Sequence, residues 1–196
     1  MGLLLAHYAR HAHGNPDSPL CGQHIVSTLD HYLPKTRYPA LTVAPWNLVP
    51  ACHDCNKAKS DTRPLTADEE ALHPYYDDIE GDLWLAAEVV ESAPAALRFL
   101  VSPPHGWNDT LTARVLRQFQ MLKLARLYAA KGAQELTDLH NLLRTHFATG
   151  GPDEVRLLLQ QFAESCRAAN MNGWRTATYR ALANSDWYCQ GGFAHV

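Results

Sequence analysis

Side chains that could bind a divalent cation and activate a water molecule are concentrated between residues 29 and 61. They are Asp30, His31, Asn47, Cys52, Cys55 and Asn56. His31 can act as a general base, because a neutral imidazole has a reference pKa of about 6.5. Asp30 and Asn56 offer hard oxygen ligands, and Mg²⁺ is usually held by a few such protein oxygens together with waters and substrate phosphates. The stretch therefore predicts metal-assisted hydrolysis of a phosphodiester.

The order of these residues resembles the HNH endonuclease family. Its pattern is an Asp-His or His-His pair, a central Asn, and a final Asn or His just after a Cys-x-x-Cys knuckle. The resemblance implies an endonuclease that depends on Mg²⁺ or Mn²⁺ and cuts DNA, with His31 activating the attacking water. It also implies that Asp30 and Asn56 hold the ion and that Asn47 braces the loop carrying the base.

Two other functions are compatible with the same residues. A ribonuclease or toxin could use this site, because nothing in the metal-histidine chemistry excludes a substrate with a 2′-hydroxyl. A non-catalytic zinc-knuckle module could instead serve as a nucleic-acid or protein adaptor. An Asp-His dipeptide or a single Cys-x-x-Cys is a weak signal, but the complete set in the family's order favours the enzyme.

The cysteines depart from the family pattern at one position. Many HNH proteins hold a structural zinc ion with four thiolates, two of them from a Cys-Pro-x-Cys-Gly run. That run reads Ser-Pro-Leu-Cys-Gly over residues 18–22 here, which leaves Cys21, Cys52 and Cys55 as candidate zinc ligands. Structural zinc sites almost always have four protein ligands. Either Asp17, His13 or His24 supplies the fourth, or the zinc ion is lost and packing holds the knuckle.

The distribution of charge indicates how the chain would meet nucleic acid. The formal net charge is −3, whereas neutralisation of phosphates supplies most non-specific affinity for DNA. Basic residues are nevertheless in local excess around the motif, and three are candidate phosphate contacts: Lys57, Lys59 and Arg63. We expect weak DNA binding by the isolated chain and recruitment by another protein through the C-terminal helices. In size and layout the chain is similar to bacterial HNH proteins that act beside an ATPase in antiphage defence.

Local patterns place the motif on a strand, a loop and a helix. Apolar and β-branched residues before Asp30 favour a strand that ends near Pro34. Adjacent strand residues point to opposite faces, so Asp30 and His31 can serve one site only if the strand twists or ends there. Residues 52–61 predict a helix on which Asn56 and Lys59 share one face.

Further elements are predicted downstream of the motif. Two strand-like runs, 83–90 and 96–101, predict a β-hairpin. A long helix should begin at Asn108 or Asp109 and run to about Lys131, followed by a helix to about Phe147. Two more helices are predicted, one starting at Pro152 and one from about Trp174 to Ala183.

These patterns predict an α+β fold with an N-terminal HNH unit of the ββα-metal type, a β-hairpin connector and a mostly helical C-terminal half. The expected domains are the nuclease unit with an N-terminal helix (1–64), the connector (65–105) and the helical region (106–196). No apolar stretch reaches the length of a membrane span, and the N terminus lacks the features of a secretion signal. We therefore expect a cytoplasmic protein with no membrane partner.

Overall fold

The computed structural model describes residues 16–61 and 64–194, and their architecture is α+β, as the sequence predicted. These residues form two compact units. The first contains the described residues up to Asp78 together with Asn108–Leu122, and the second contains Ile79–Trp107 and the described residues from Lys123 onward. The helical region predicted for 106–196 is thus divided between the two units. The predicted N-terminal helix lies in residues 1–15, outside the described residues.

A two-stranded sheet and a short helix form the centre of the first unit. β1 (Thr28–His31) pairs antiparallel with β2 (Leu48–Ala51). Their connection contains two 3-10 helices, Pro39–Leu41 and Pro45–Asn47. α1 (His53–Lys59) follows β2 at once, giving the strand, loop, strand and helix order of a ββα unit.

α2 (Asp109–Met121) completes the first unit and packs against a 3-10 helix, Ala67–Glu69. Asn108 caps α2, since its side-chain oxygen accepts a hydrogen bond from the Leu111 N–H at 2.8 Å. Gln118 on α2 accepts a hydrogen bond from the Leu72 N–H at 3.0 Å. The apolar core of the unit includes Leu20, Val49, Ala51, Leu72, Val115, Phe119 and Leu122.

The helix predicted to run from residue 109 to about Lys131 ends at Met121 instead. Lys123 has a φ of 55°, in the left-handed region, and this residue separates α2 from α3 (Leu124–Ala169). Leu122 and Leu124 on either side of the break are both buried. The apolar pattern therefore continues through the interruption, which is why the periodicity did not reveal it.

The second unit pairs a β-hairpin with helices. β3 (Leu85–Val90) and β4 (Ala96–Val101) are antiparallel, which confirms the predicted hairpin. The hairpin packs against α3 and α4 (Trp174–Asn184). Gly132 of α3 allows this close approach, because a Cβ at that position would lie 2.9 Å from Cδ1 of Leu97.

The long α3 is kinked at Gly151, whose φ is 68° and which precedes Pro152. The helix predicted to end near Phe147 and the helix predicted to start at Pro152 are continuous apart from this kink. The described chain closes with α5 (Asp186–Cys189) and a 3-10 helix, Gly192–Ala194. Within residues 16–61 and 64–194, no helix combines the length and apolar character that a membrane crossing needs.

Candidate active site and metal centre

Asp30 lies near the end of β1 and points toward α1. Only 5% of the residue is exposed, and its Oδ2 lies 3.0 Å from Nζ of Lys59. The same ammonium donates hydrogen bonds to the backbone oxygens of His31, at 2.7 Å, and Tyr32, at 3.0 Å. Burial raises the pKa of the Asp30 carboxyl, and the nearby Lys59 charge opposes that rise. Lys59 is therefore a buried structural cation, although the sequence led us to consider it for a surface phosphate contact.

His31 is the last residue of β1, and its ring is half-buried. Its Nε2 lies 3.0 Å from the carbonyl oxygen of Thr42 in the connection between the strands. A carbonyl oxygen can only accept, so Nε2 carries the hydrogen and Nδ1 of the neutral ring keeps its lone pair. The two adjacent side chains thus have different partners, with Asp30 directed to α1 and His31 directed to the connection.

Asn47 is buried and holds the connection together. Its Oδ1 accepts a hydrogen bond from the Leu33 N–H at 2.7 Å. Its Nδ2 donates to the carbonyl oxygens of Leu33 and Leu41, both at 3.1 Å. Leu41 immediately precedes Thr42, so the amide fixes the backbone that carries the oxygen bound to His31.

Asn56 and Lys59 lie on the face of α1 that contacts β1. Nδ2 of Asn56 donates to Oγ1 of Thr28 at 3.2 Å, which directs the amide nitrogen toward the strand. Lys57, on the same helix, is exposed. Arg63, the remaining phosphate candidate, lies outside the described residues.

Cys21, Cys52 and Cys55 come together as a buried group that could hold a metal ion such as zinc. Their sulfur atoms all lie within 4.8 Å of one another, and those of Cys21 and Cys52 are 4.0 Å apart. Tetrahedral zinc with Zn–S bonds of about 2.3 Å requires sulfur separations of about 3.8 Å. The spacing of the sulfurs therefore approaches what a zinc ion needs.

The residues around the three cysteines include the candidates for a fourth zinc ligand. Nδ1 of His24 lies 3.8 Å from Sγ of Cys52 and 3.5 Å from Oδ2 of Asp54. His24 is near Cys52 but is not part of the group whose ligand atoms all lie within 4.8 Å of one another. Ser18, which stands where the family has its first cysteine, is fully buried. Its carbonyl oxygen accepts hydrogen bonds from the N–H groups of Cys21 and Gly22, which preserves the turn of the knuckle. His13 lies outside the described residues.

The thiols of the group influence one another. A hydrogen bond from Cys55 lowers the pKa of Cys21, against the opposing effect of burial. The same contact raises the pKa of Cys55. The contact therefore favours a thiolate at one position of the group, and thiolates are the form that binds metal. Of the other two cysteines, Cys189 is buried and Cys166 is half-buried.

The segment 72–76 supports the connection from outside, with His73 in the packing role that the sequence favoured for it over a place in the site. Nε2 of His73 lies 3.0 Å from the carbonyl oxygen of Trp46, and the Tyr75 hydroxyl donates to that of Leu48 at 3.0 Å. The Tyr32 and His73 rings are 4.3 Å apart between centroids. The run Leu-His-Pro-Tyr-Tyr at residues 72–76 was the signal available for this packing.

The chain is similar to a bacteriophage protein. Protein ea31 of Escherichia phage lambda is 30% identical to it over 188 residues, an alignment that covers 88% of this chain. The chain spans 63% of the length of that relative. No protein-family model matches the chain, and no solved structure matches it.

Proposed function

We propose that the chain is a metal-dependent endonuclease of the HNH type that hydrolyses phosphodiester bonds in DNA. The observation that carries the proposal is the contact between Nε2 of His31 and the Thr42 carbonyl. It fixes the ring in the tautomer whose Nδ1 can accept a proton from water. A histidine at a strand end with one nitrogen anchored by backbone and the other available has the geometry of a general base.

Asn47 would act as a positioning residue in this mechanism. It binds the backbone of Leu33, two residues after His31, and of Leu41, one residue before Thr42. The buried Asn47 amide therefore binds backbone next to His31 and backbone next to Thr42, whose carbonyl oxygen contacts the imidazole. Such orientation matters because small displacements of a catalytic group reduce the rate of reaction strongly.

Asp30 and Asn56 would hold a Mg²⁺ or Mn²⁺ ion. They form a donor set of hard oxygens on facing elements, β1 and α1, which fits the incomplete protein cage that Mg²⁺ prefers. Oδ2 of Asp30 is buried and lies 3.0 Å from Nζ of Lys59, but it accepts no hydrogen bond within the described residues, so it would keep a lone pair for the ion. The Asn56 amide nitrogen bonds Thr28, and the amide oxygen would face the ion. A bound ion supplies neutralisation of the charge that develops on the phosphate and leaving oxygen.

We further propose that zinc stabilises the unit through Cys21, Cys52 and Cys55, with His24 as the fourth ligand. The mutual proximity of the three cysteine sulfurs supports metal binding, and His24 is the candidate for the fourth ligand because its Nδ1 lies 3.8 Å from Sγ of Cys52. A Cys₃His set is one of the usual closed sets of structural zinc. The zinc would then fix α1 relative to the segment before β1, and so support the elements that carry His31 and Asn56.

The nuclease proposal is tested by incubating the chain with plasmid, single-stranded DNA and RNA. The reactions should be compared with and without added Mg²⁺ or Mn²⁺. A strong chelator should not be used for the metal-free reaction, because it would also remove zinc. We expect cleavage only with added metal, and a loss of about 10²- to 10⁴-fold in His31→Ala, the usual range for a general base. Asp30→Ala and Asn56→Ala should require more metal for half-maximal activity.

The outcomes separate the competing functions. Cleavage of RNA alone would assign the site to a ribonuclease. Nucleic-acid binding without cleavage under any metal would favour the adaptor. Cleavage by His31→Ala at the wild-type rate would reject the proposed base, provided that thermal unfolding shows both proteins folded.

The net charge of the chain bears on how it would reach DNA. With a formal net charge of −3, the chain would bind DNA weakly alone, and we propose that another protein recruits it through the C-terminal helices. That this partner is an ATPase acting in antiphage defence is a prediction from the size and layout of the chain alone. Tight, salt-tolerant DNA binding by the isolated chain would reject recruitment.

A further inference from the structure

The first unit carries two exposed aromatic rings beside each other. Trp46 is 58% exposed and Tyr76 is 66% exposed, and their ring centroids are 6.3 Å apart. Val43, on the same strand connection as Trp46, is 82% exposed. We call Trp46 and Tyr76 the aromatic platform. Grouped apolar side chains left open to water mark a binding surface more often than isolated ones do.

The platform is held in place by the residues beneath it. His73 binds the carbonyl oxygen of Trp46 through Nε2, and the backbone oxygen of His73 accepts from the Tyr76 N–H at 3.0 Å. The Trp46 ring packs edge-on against Tyr75, with centroids 6.2 Å apart and an interplanar angle of 82°. The two rings are tilted 45° to each other, so each offers its own stacking face. Because both are held by the contacts described, a base stacking on either ring would meet a surface that needs little ordering.

Trp46 of the platform lies on the connection that carries the candidate catalytic contacts. Trp46 immediately precedes the buried Asn47, and Thr42, whose carbonyl anchors His31, is on the same connection. Lys35 and Arg37 are exposed on that connection as well. Aromatic rings combined with cations are how proteins bind single-stranded nucleic acid, since bases stack on the rings while phosphates meet the charges.

We propose that Trp46 and Tyr76 stack against unpaired nucleobases, so that the preferred substrate has a single-stranded segment at the cleavage site. This inference rests on the proposed nuclease function. Paired bases in a duplex cover each other's faces, whereas unpaired bases expose theirs for stacking. A chain with a net charge of −3 gains little affinity for nucleic acid from contacts with phosphates. Stacking does not depend on the release of counterions, so it would supply affinity that the charge does not.

The test compares binding of single-stranded and duplex DNA by the intact chain. Fluorescence anisotropy would follow a labelled oligothymidylate and its duplex with oligoadenylate, without added Mg²⁺ or Mn²⁺ so that neither is cut. We expect the wild type to prefer the single strand. Trp46→Ala and Tyr76→Ala should each weaken single-strand binding by about 5- to 150-fold, the loss of one stacked base. Duplex binding should change little.

Two further variants show whether stacking itself is responsible. Trp46→Phe keeps an aromatic face and should retain most of the affinity, whereas a loss equal to that of Trp46→Ala would overturn the inference. Leu157→Ala removes another exposed apolar side chain, 50% exposed on α3, and should bind like the wild type. Circular dichroism of each variant would show that it is folded.

Failure of this inference can be told from failure of the nuclease proposal. Equal binding of both DNA forms, or wild-type affinity in Trp46→Ala and Tyr76→Ala, would overturn the platform even if the chain cleaves DNA. Loss of a co-purifying protein with unchanged DNA binding would assign the surface to a protein partner and also overturn it. Stacking that depends on Trp46 in a chain that cuts nothing would support the platform and reject the nuclease.

Discussion

The Lys59 ammonium lies 3.0 Å from Oδ2 of Asp30, and the two side chains are only 10% and 7% exposed. The ammonium donates its hydrogen bonds to the backbone oxygens of His31 and Tyr32. One buried cation therefore binds both the carboxylate and the backbone at the end of β1. The geometry around the candidate base depends on a residue that has no direct role in the chemistry.

We expect Lys59→Met to be strongly destabilising, because it leaves the Asp30 carboxylate buried without its cation. Breaking a buried pair in this way costs about 3–5 kcal/mol. Urea unfolding at neutral pH would measure the loss, with Lys57→Met as a control at an exposed position of the same helix. Adding Asp30→Asn to Lys59→Met should recover part of the stability. If Lys59→Met alone has the same free energy of unfolding as Lys57→Met, this account of the pair is contradicted.

Asn47→Ala should reduce both stability and turnover. The substitution removes three hydrogen bonds to the backbone of Leu33 and Leu41, and unsatisfied buried groups cost about 1–3 kcal/mol each. Turnover should fall by about 10²-fold, with little change in KM, because the imidazole loses its alignment but substrate contacts do not. Asn141→Ala, at an exposed position, is the control. A folded Asn47→Ala chain with normal turnover would remove Asn47 from the positioning role.

The zinc assignment predicts a specific pattern among four variants. Purified chain should contain close to one zinc ion, and Cys52→Ala and His24→Ala should each lose most of it together with thermal stability. Asp17→Ala should keep it. Adding Ser18→Cys to His24→Ala restores the family's fourth thiolate and should restore binding, with the Co²⁺ spectrum shifting toward four sulfur ligands. Full zinc occupancy in His24→Ala alone would exclude histidine as the ligand.

His73 should make the first unit sensitive to mild acid. Burial lowers the pKa of its imidazole, and the neutral ring both accepts from the Tyr75 N–H and contacts the Trp46 carbonyl. The associated stability is present above the reference pKa of about 6.5 and is lost as pH falls through the lower, folded value. Urea midpoints at neutral and mildly acidic pH should differ less in His73→Gln than in the wild type. His105→Gln, at an exposed position, should behave like the wild type.

Short-range patterns in the sequence predicted much of the fold. The order of β1, connection, β2 and α1 could be read from apolar runs, prolines and the knuckle, and the kink at Gly151 from the glycine pair before Pro152. All of these depend on residues close together along the chain. Strand geometry also set the condition that Asp30 and His31 could serve one site only if β1 twisted or ended there.

Other features depend on contacts between distant residues. Lys59 binds backbone oxygens of His31 and Tyr32, 28 and 27 positions away. Helical spacing placed Lys59 on the face of Asn56, but nothing in its local sequence showed that it is buried or which oxygens it binds. His73 reaches Trp46 across 27 positions. The end of α2 at Met121 was missed because the apolar pattern continues past it. These features depend on tertiary packing, and the contacts between distant residues cannot be read from a single sequence.

The separation of Cys21 and Cys52 by 31 positions has a consequence for the stability of the first unit if a metal ion is bound as proposed. An ion bound to both would close a ring of backbone containing β1, the connection and β2. Closing a ring of this size removes freedom from the unfolded chain worth about 3–4 kcal/mol, by analogy with disulfides. Oxidation of one thiol would open the ring, so the stability of the unit would depend on keeping these thiols reduced.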